Sequence, residues 1–248
     1  MSHRNCVVRE KPLILTLLYA ARNFQSRKLF TALREYCRNS VLDVGGYDFY
    51  LTAKRQGVPF TRWTTLEKSS CATPPIAESS FCLVQGDGCN MTQFQDCQFD
   101  TVLCLQVLEH VFDPVKMVNE CKRVLRQGGF AIFLVPQTSV LHMVPHHYCN
   151  FTRYWILEAM QGSGFRVVSL TPIGGRWQST ASHMVYFFLQ SLRCPGFTIP
   201  GESRGPVFYL LFPFMVIWAL INIPVCLLLS LGDLREEANN HLVVAQRP

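Results

Sequence analysis

The stretch from Ser40 to Asp48, Ser-Val-Leu-Asp-Val-Gly-Gly-Tyr-Asp, constrains this chain more than any other. Val41, Leu42 and Val44 form a short β-prone run, interrupted by one carboxylate and closed by two glycines, which predicts a buried strand ending in a tight turn. Glycine lets a backbone approach a ligand closely, and a helix starting near Tyr50 would present free N–H groups to it. Asp43 stands at the carboxyl end of the strand, where open α/β sheets bind ligands.

Spacing argues against a pyrophosphate-binding turn. Counting from Gly45, the G-x-G-x-x-G pattern needs glycines at positions 47 and 50, and both are tyrosine. A carboxylate two residues before the first glycine suits a cationic or hydroxyl-rich ligand without phosphate, such as S-adenosylmethionine. Asp-x-Gly-Gly also occurs in ordinary turns, so the rest of the chain has to decide.

With 248 residues the chain can bury a sizeable core. Apolar residues make up 49% and charged residues 16%, an apolar balance that points to a membrane or partner surface. The net charge of +6 comes without a dense Lys/Arg run, so no nucleic-acid partner is expected. The 11 cysteines are odd in number, lack any C-x-x-C pair and often lie in apolar runs, which predicts reduced thiols in a cytoplasmic protein rather than disulfides or a zinc site.

In chain order, Lys11 to Cys37 has the spacing of one or two amphipathic helices, and no signal peptide is expected because no small-x-small cleavage site follows the first apolar run. Phe60 to Glu67 reads as a second strand ending in an acid, about one βαβ step beyond Asp43, where a carboxylate can accept both ribose hydroxyls. A third strand, Phe81 to Gln85, runs into Gly86-Asp87-Gly88. Asp87 there is either a turn residue or an acceptor for an adenine amino group. Phe99 to Gln106 is a near-continuous apolar strand of the kind found at the centre of a parallel sheet. Asp113-Pro114 predicts a helix start, Gly128-Gly129 its end, and Phe130 to Pro136 a fifth strand.

Taken in order, Val41-Leu-Asp-Val-Gly-Gly46, Gly86-Asp-Gly88, Phe99 through Val111 with Asp113-Pro114, and Arg123-Val-Leu-Arg-Gln-Gly-Gly129 resemble a class I S-adenosylmethionine-dependent methyltransferase. The similarity is to the type-11 subgroup, which includes ubiquinone and menaquinone biosynthesis enzymes, and it covers roughly positions 40 to 175. It implies an α/β, doubly wound, Rossmann-like seven-stranded sheet, mostly parallel with the last strand antiparallel. It also implies that Asp43, Gly45 and Gly46 hold the methionine portion of the cofactor, Glu67 the ribose, Asp87 and Gly88 the adenine edge, and that Gln106 lies beneath the sulfonium. Tyr47 departs from the small residue usual in the turn.

Gln137 to Tyr154 follows the fifth strand directly and should arch over the transferred methyl group. Within it, His142, His146, His147 and Tyr148 fall in seven positions, and imidazole titrates near neutrality, so His142, His147 and Tyr148 are the candidates for proton transfer to and from an acceptor. His142, Pro145 and Tyr148 match an arrangement frequent in the subgroup, whereas His147 stands where an acid is usual and Asn150 where arginine is. A zinc site from His142, His146, His147 and Cys149 lacks a second cluster, and no metal is expected. His110 reads as a structural ring closing a strand-to-helix turn.

Phe151 to Gly164 has helical spacing, Phe165 to Thr171 reads as a sixth strand, and His241 to Gln246 as the last. Between them lies a run without charge from Gly205 to Gly232, long enough to span a bilayer. A single crossing would strand Leu242 to Ala245 on the wrong side of the sheet, and Pro213 and Pro224 are expected to divide the run into shorter helices, so an in-plane or re-entrant hairpin is favoured. The expected organisation is an N-terminal helical segment (1–39), a methyltransferase domain (40–175 plus 241–248) and an apolar, membrane-associated helical insertion (176–240). The expected activity is methyl transfer from S-adenosylmethionine to a small-molecule, lipid-linked or glycan-type acceptor at a membrane surface, by a cytoplasmic protein attached peripherally or monotopically. The alternative is a membrane-attached scaffold that keeps the fold without turnover.

Overall fold

A computed structural model describes residues 26–68, 78–194, 199, 201 and 203–248. The expectations for residues 1–25 lie outside the described residues. Seven strands form one sheet in the order β3-β2-β1-β4-β5-β7-β6. They are β1 (Ser40–Val44), β2 (Arg62–Glu67), β3 (Phe81–Gln85), β4 (Phe99–Leu105), β5 (Leu125–Pro136), β6 (Arg166–Ile173) and β7 (Asn240–Gln246). Neighbours from β3 to β5 pair in parallel, while β7 runs antiparallel between β5 and β6.

Strand alternation sorts the core into two layers. Leu42 and Val44 face one side, where they meet Met117, Val118 and Cys121 of α3 (Pro114–Val124) and Ile156 and Met160 of α4 (Arg153–Gly162). Val41 faces the other, with Leu29 and Leu33 of helical residues 26–36 (α1) and Tyr50 and Ala53 of α2 (Phe49–Arg55). The order reverses between β1 and β4, so the carboxyl ends of these two strands border the crevice in which doubly wound sheets place their ligands.

Local chemistry fixes the helix starts. Asp113 Oδ1 accepts the Lys116 N–H at 3.0 Å ahead of Pro114, and Thr152 Oγ1 accepts the Trp155 N–H at 3.3 Å. The end of α3 corrects the sequence expectation, because the helix stops at Val124 and β5 already begins at Leu125. The Arg247 guanidinium takes the last carbonyls, those of Lys122, Arg123 and Leu125, at 2.8, 2.9 and 2.6 Å. Gly128 (φ +74°) and Gly129 lie within the strand, where a β-carbon on Gly129 would come within 2.9 Å of the Asp100 carbonyl oxygen. Gly129 serves close strand packing and Gly128 supplies the positive φ; neither ends the helix.

Between β6 and β7 the chain forms α5 (Arg176–Ser191) and α6 (Pro206–Leu229). Contrary to expectation, α6 is one helix of 24 residues running through Pro213 and Pro224. Each proline removes one backbone donor, and the remaining hydrogen bonds carry the helix across. The Phe187 and Phe212 rings pack 6.2 Å apart, and the Arg204 guanidinium lies 4.8 Å from the Phe208 ring centre. Beyond α6, Asp233 accepts the Trp177 and Gln178 N–H groups at 2.9 and 3.1 Å, and Glu237 pairs with Arg176. The entry and exit of this segment are therefore tied together beside the sheet. Among the described residues, 206–232 is the one helical stretch long and apolar enough to cross a membrane, with mean hydropathy 2.4 and 11% of its most apolar window buried.

Among the described residues, Cys37, Cys104, Cys121 and Cys226 are buried and stand outside any disulfide. Burial pushes the Cys37 thiol up to about 12, which leaves it an inert packing group.

Candidate active site

The tips of β1, β2 and β3 are joined by their own backbone. Gly45 N–H donates to the Leu66 carbonyl at 2.8 Å and Gly86 N–H to the Glu67 carbonyl at 2.8 Å. Gly45 has φ +68°, and a β-carbon there would come within 2.8 Å of Val107 Cγ2, so this turn needs glycine on both counts. At Gly46 a β-carbon would overlap the Asp43 carboxylate. The turn lies flat across that carboxylate.

Asp43 is fully buried, and neither of its oxygens has a hydrogen-bond partner among the described residues. Burial, reinforced by the charge of Glu67, pushes its carboxyl up to about 8. The Trp63 indole is near enough to offset part of this without reaching hydrogen-bond geometry. Glu67 accepts the Tyr47 N–H at 2.6 Å; its carboxyl is raised by burial and lowered by that bond. Tyr47 itself adopts φ +49°, and its side chain is 49% exposed, turned outward rather than filling the turn.

Asp87 sits in the turn after β3, where Oδ1 accepts the Cys89 N–H at 2.8 Å. A β-carbon on Gly88 would come within 3.0 Å of Val44 Cγ1, which brings this turn against the end of β1. Gln106 follows β4 with φ +59°, its N–H bonded to the Leu134 carbonyl at 2.8 Å and its side-chain amide donating to Asn240 Oδ1 at 2.7 Å. Asp43, Gly45, Gly46, Glu67, Asp87, Gly88 and Gln106 thus stand at the carboxyl edges of adjacent strands, in the order the sequence predicted.

The loop after β5 carries the second group. The His142 and His147 ring centres lie 4.5 Å apart, and His110 lies 4.8 and 5.6 Å from them. The His142 N–H donates to His147 Nδ1 at 3.3 Å, and His142 Nδ1 donates to the Val140 carbonyl at 2.9 Å. A carbonyl can only accept, so a neutral His142 carries its lone pair on Nε2. Tyr148 stands apart from this pair, its hydroxyl 3.1 Å from His146 Nδ1 and its ring against Phe112. The loop is held from outside by α5, where Thr138 Oγ1 and Ser179 Oγ are 3.0 Å apart, His183 Nε2 bonds the Thr138 carbonyl, and the Gln190 amide donates to the Leu141 carbonyl at 3.3 Å.

Glu109 was not anticipated from sequence. It is fully buried in the single 3-10 turn Leu108–His110, both oxygens lack a partner among the described residues, and burial pushes its carboxyl up to about 7. The Tyr148 N–H donates to its carbonyl at 2.8 Å, which pins the histidine loop to the end of β4. An acid closing an apolar strand was the available signal. His110, expected as a structural ring, bonds the His146 carbonyl and stands beside His142.

Comparison with known proteins bears on the fold. Residues 64–133 match a family described as a methyltransferase domain. The ubiquinone biosynthesis O-methyltransferase of Ralstonia nicotianae is 26% identical over 117 residues, 38% of this chain and 49% of that protein. Its counterpart in Methylococcus capsulatus is 28% identical over 109 residues, 35% of this chain and 46% of that protein. This is a methyltransferase fold. The chain spans about half the length of the curated relatives it matches. A Haloferax volcanii methyltransferase solved with a methyltransferase activator superposes with a TM-score of 0.59 at 14% identity, covering 94% of this chain and 93% of that one. An S-adenosylmethionine-dependent methyltransferase from Archaeoglobus fulgidus gives 0.54 at 14% identity over 93% of each chain.

Proposed function

We propose that this methyltransferase-fold chain moves a methyl group from S-adenosylmethionine to an oxygen of a small-molecule, lipid-linked or glycan-type acceptor at a membrane surface. The observation that carries the reading is Asp43, a buried carboxylate without a partner beneath a turn that only glycine can make. A buried acid left unpaired is costly unless a cation completes it, and the cofactor's ammonium and sulfonium groups are cations. Glu67 and Asp87 add acceptors at neighbouring strand tips for ribose hydroxyls and an adenine amino group, so the residues present fit the cofactor.

When bound, S-adenosylmethionine supplies an electrophilic methyl group that needs little activation. The chain's part is to align the acceptor and exclude water. Gln106, held by Asn240, walls the site beside β4. His142 Nε2 is the base that takes the acceptor's proton, His147 holds the His142 backbone, and Tyr148 borders the acceptor's entrance.

The α5–α6 segment (176–240) supports membrane attachment as an in-plane or re-entrant hairpin. Its ends are tied together at Asp233, it carries no charge from Gly205 to Gly232, and Trp218 is 65% exposed. The Ralstonia and Methylococcus relatives are named for ubiquinone biosynthesis, which makes a quinone-like amphiphile one reasonable acceptor. A reading without methyl transfer also has support, because a structure described as a [4+2]-cyclase shares the fold at a TM-score of 0.54. Labelled S-adenosylmethionine incubated with the protein and a membrane lipid extract separates the readings. Label in the lipid phase supports transfer to an amphiphile, and label in neither phase favours the reading without turnover.

A further inference from the structure

We propose that Glu109, His110 and His142 form a binding site for a divalent transition metal, with zinc the best match to two imidazoles and a carboxylate. One ligand atom from each lies within 4.8 Å of the other two. His110 Nε2 is 3.9 Å from Glu109 Oε1. The decisive feature is which ring nitrogens are engaged elsewhere. His110 Nδ1 donates to the His146 carbonyl at 2.6 Å, and His142 Nδ1 donates to the Val140 carbonyl at 2.9 Å. Both rings therefore keep a bare Nε2 lone pair, each ring fixed by the kind of backbone carbonyl bond that metal-binding histidines use, and that of His110 faces Glu109.

Glu109 completes the set. It is fully buried, and neither oxygen has a donor among the described residues. Two nitrogen lone pairs and a carboxyl group converge, and a bound cation satisfies all three at once. Tetrahedral zinc separates its ligands by roughly 3.3 Å, so side-chain and loop shifts of up to about 1.5 Å bring the three ligands together. Three protein ligands leave a position open, the pattern of catalytic rather than structural sites. Its occupant is a hydroxyl oxygen of the acceptor; this part alone rests on the function proposed above. With metal bound, His142 serves as a ligand and the metal takes over activation of that oxygen.

Chelator-stripped full-length protein, carrying Cys82→Ser and Cys97→Ser to remove the thiols exposed among the described residues, is titrated with cobalt(II) and with zinc. The expected result is one equivalent bound, visible cobalt ligand-field bands, and displacement of cobalt by zinc. Glu109→Gln and His142→Ala each weaken binding by about tenfold or more while leaving S-adenosylhomocysteine affinity and Tm close to those of the parent. Asp43→Ala loses S-adenosylhomocysteine binding and keeps the cobalt spectrum, which separates failure of the cofactor site from failure of the metal site. Absence of stoichiometric binding by the parent, or binding undiminished in both Glu109→Gln and His142→Ala, overturns the site.

Discussion

The carboxylate of Asp43 lies directly beneath Gly46, so close that a β-carbon on the glycine would overlap both carboxylate oxygens. A buried charge and the turn covering it form one unit, and each constrains what the other can be.

Gly46→Ala tests that unit. The methyl group displaces a carboxylate that has nowhere to go inside a packed strand tip, and such overpacking costs about 1–3 kcal/mol. We expect a lower Tm and S-adenosylhomocysteine affinity reduced at least tenfold, as read by thermal melts and calorimetry. Normal binding by a normally stable Gly46→Ala protein would contradict the close approach.

The Asp43 carboxyl, raised from 3.8 to about 8, makes stability depend on pH in a defined direction. The folded protein holds the proton more tightly than the unfolded chain. The penalty for ionising Asp43 is thus absent below its ordinary value, grows between about pH 4 and pH 8, and is complete above. At pH 7 it reaches about 4 kcal/mol as an upper bound. Ligand-free Asp43→Asn should therefore melt above the parent at pH 8, with the gap closing toward pH 5. A gap of the opposite sign or one independent of pH would show that Asp43 is not the buried acid described.

The same carboxyl links cofactor binding to protons. A cationic ligand over Asp43 favours its ionised form, so affinity for S-adenosylhomocysteine should rise with pH below about 8, by up to about tenfold per unit, and level off above. Calorimetry in buffers of different ionisation enthalpy should register proton release at pH 7. Flat affinity from pH 6 to 9 would argue against Asp43 as a charge partner.

In the histidine loop, His142→Ala should lower kcat by about 10²- to 10⁴-fold with little change in cofactor affinity. His147→Ala should lower it less, because its Nδ1 only accepts the His142 N–H. Equal losses, or a loss confined to KM, would reverse these roles.

Deleting 206–231 should abolish flotation with liposomes and leave S-adenosylhomocysteine binding intact, since α6 packs chiefly on α5. A full-length protein that stays in the soluble fraction would remove the membrane from the account.

Much of the strand framework could be read from residues, because β1 and β3 are short runs closed by glycine, β2 ends on Glu67 and β4 is near-continuously apolar. The carboxylates at their tips were legible for the same reason. Glu109 and the approach of His110 to His142 were not, since they depend on where the loop carrying His142 folds back onto the 3-10 turn Leu108–His110. The end of α3 was misread because Arg247, far along the chain, supplies the cap that Gly128-Gly129 seemed to provide. Two prolines suggested breaks in α6, yet the loss of one donor each does not outweigh an otherwise continuous helix.

Calorimetric titration of S-adenosylhomocysteine into the parent protein and Asp43→Ala tests the central claim most directly. The account predicts saturable binding by the parent and none by the variant. Equal binding by both, or none by a folded parent, would contradict it.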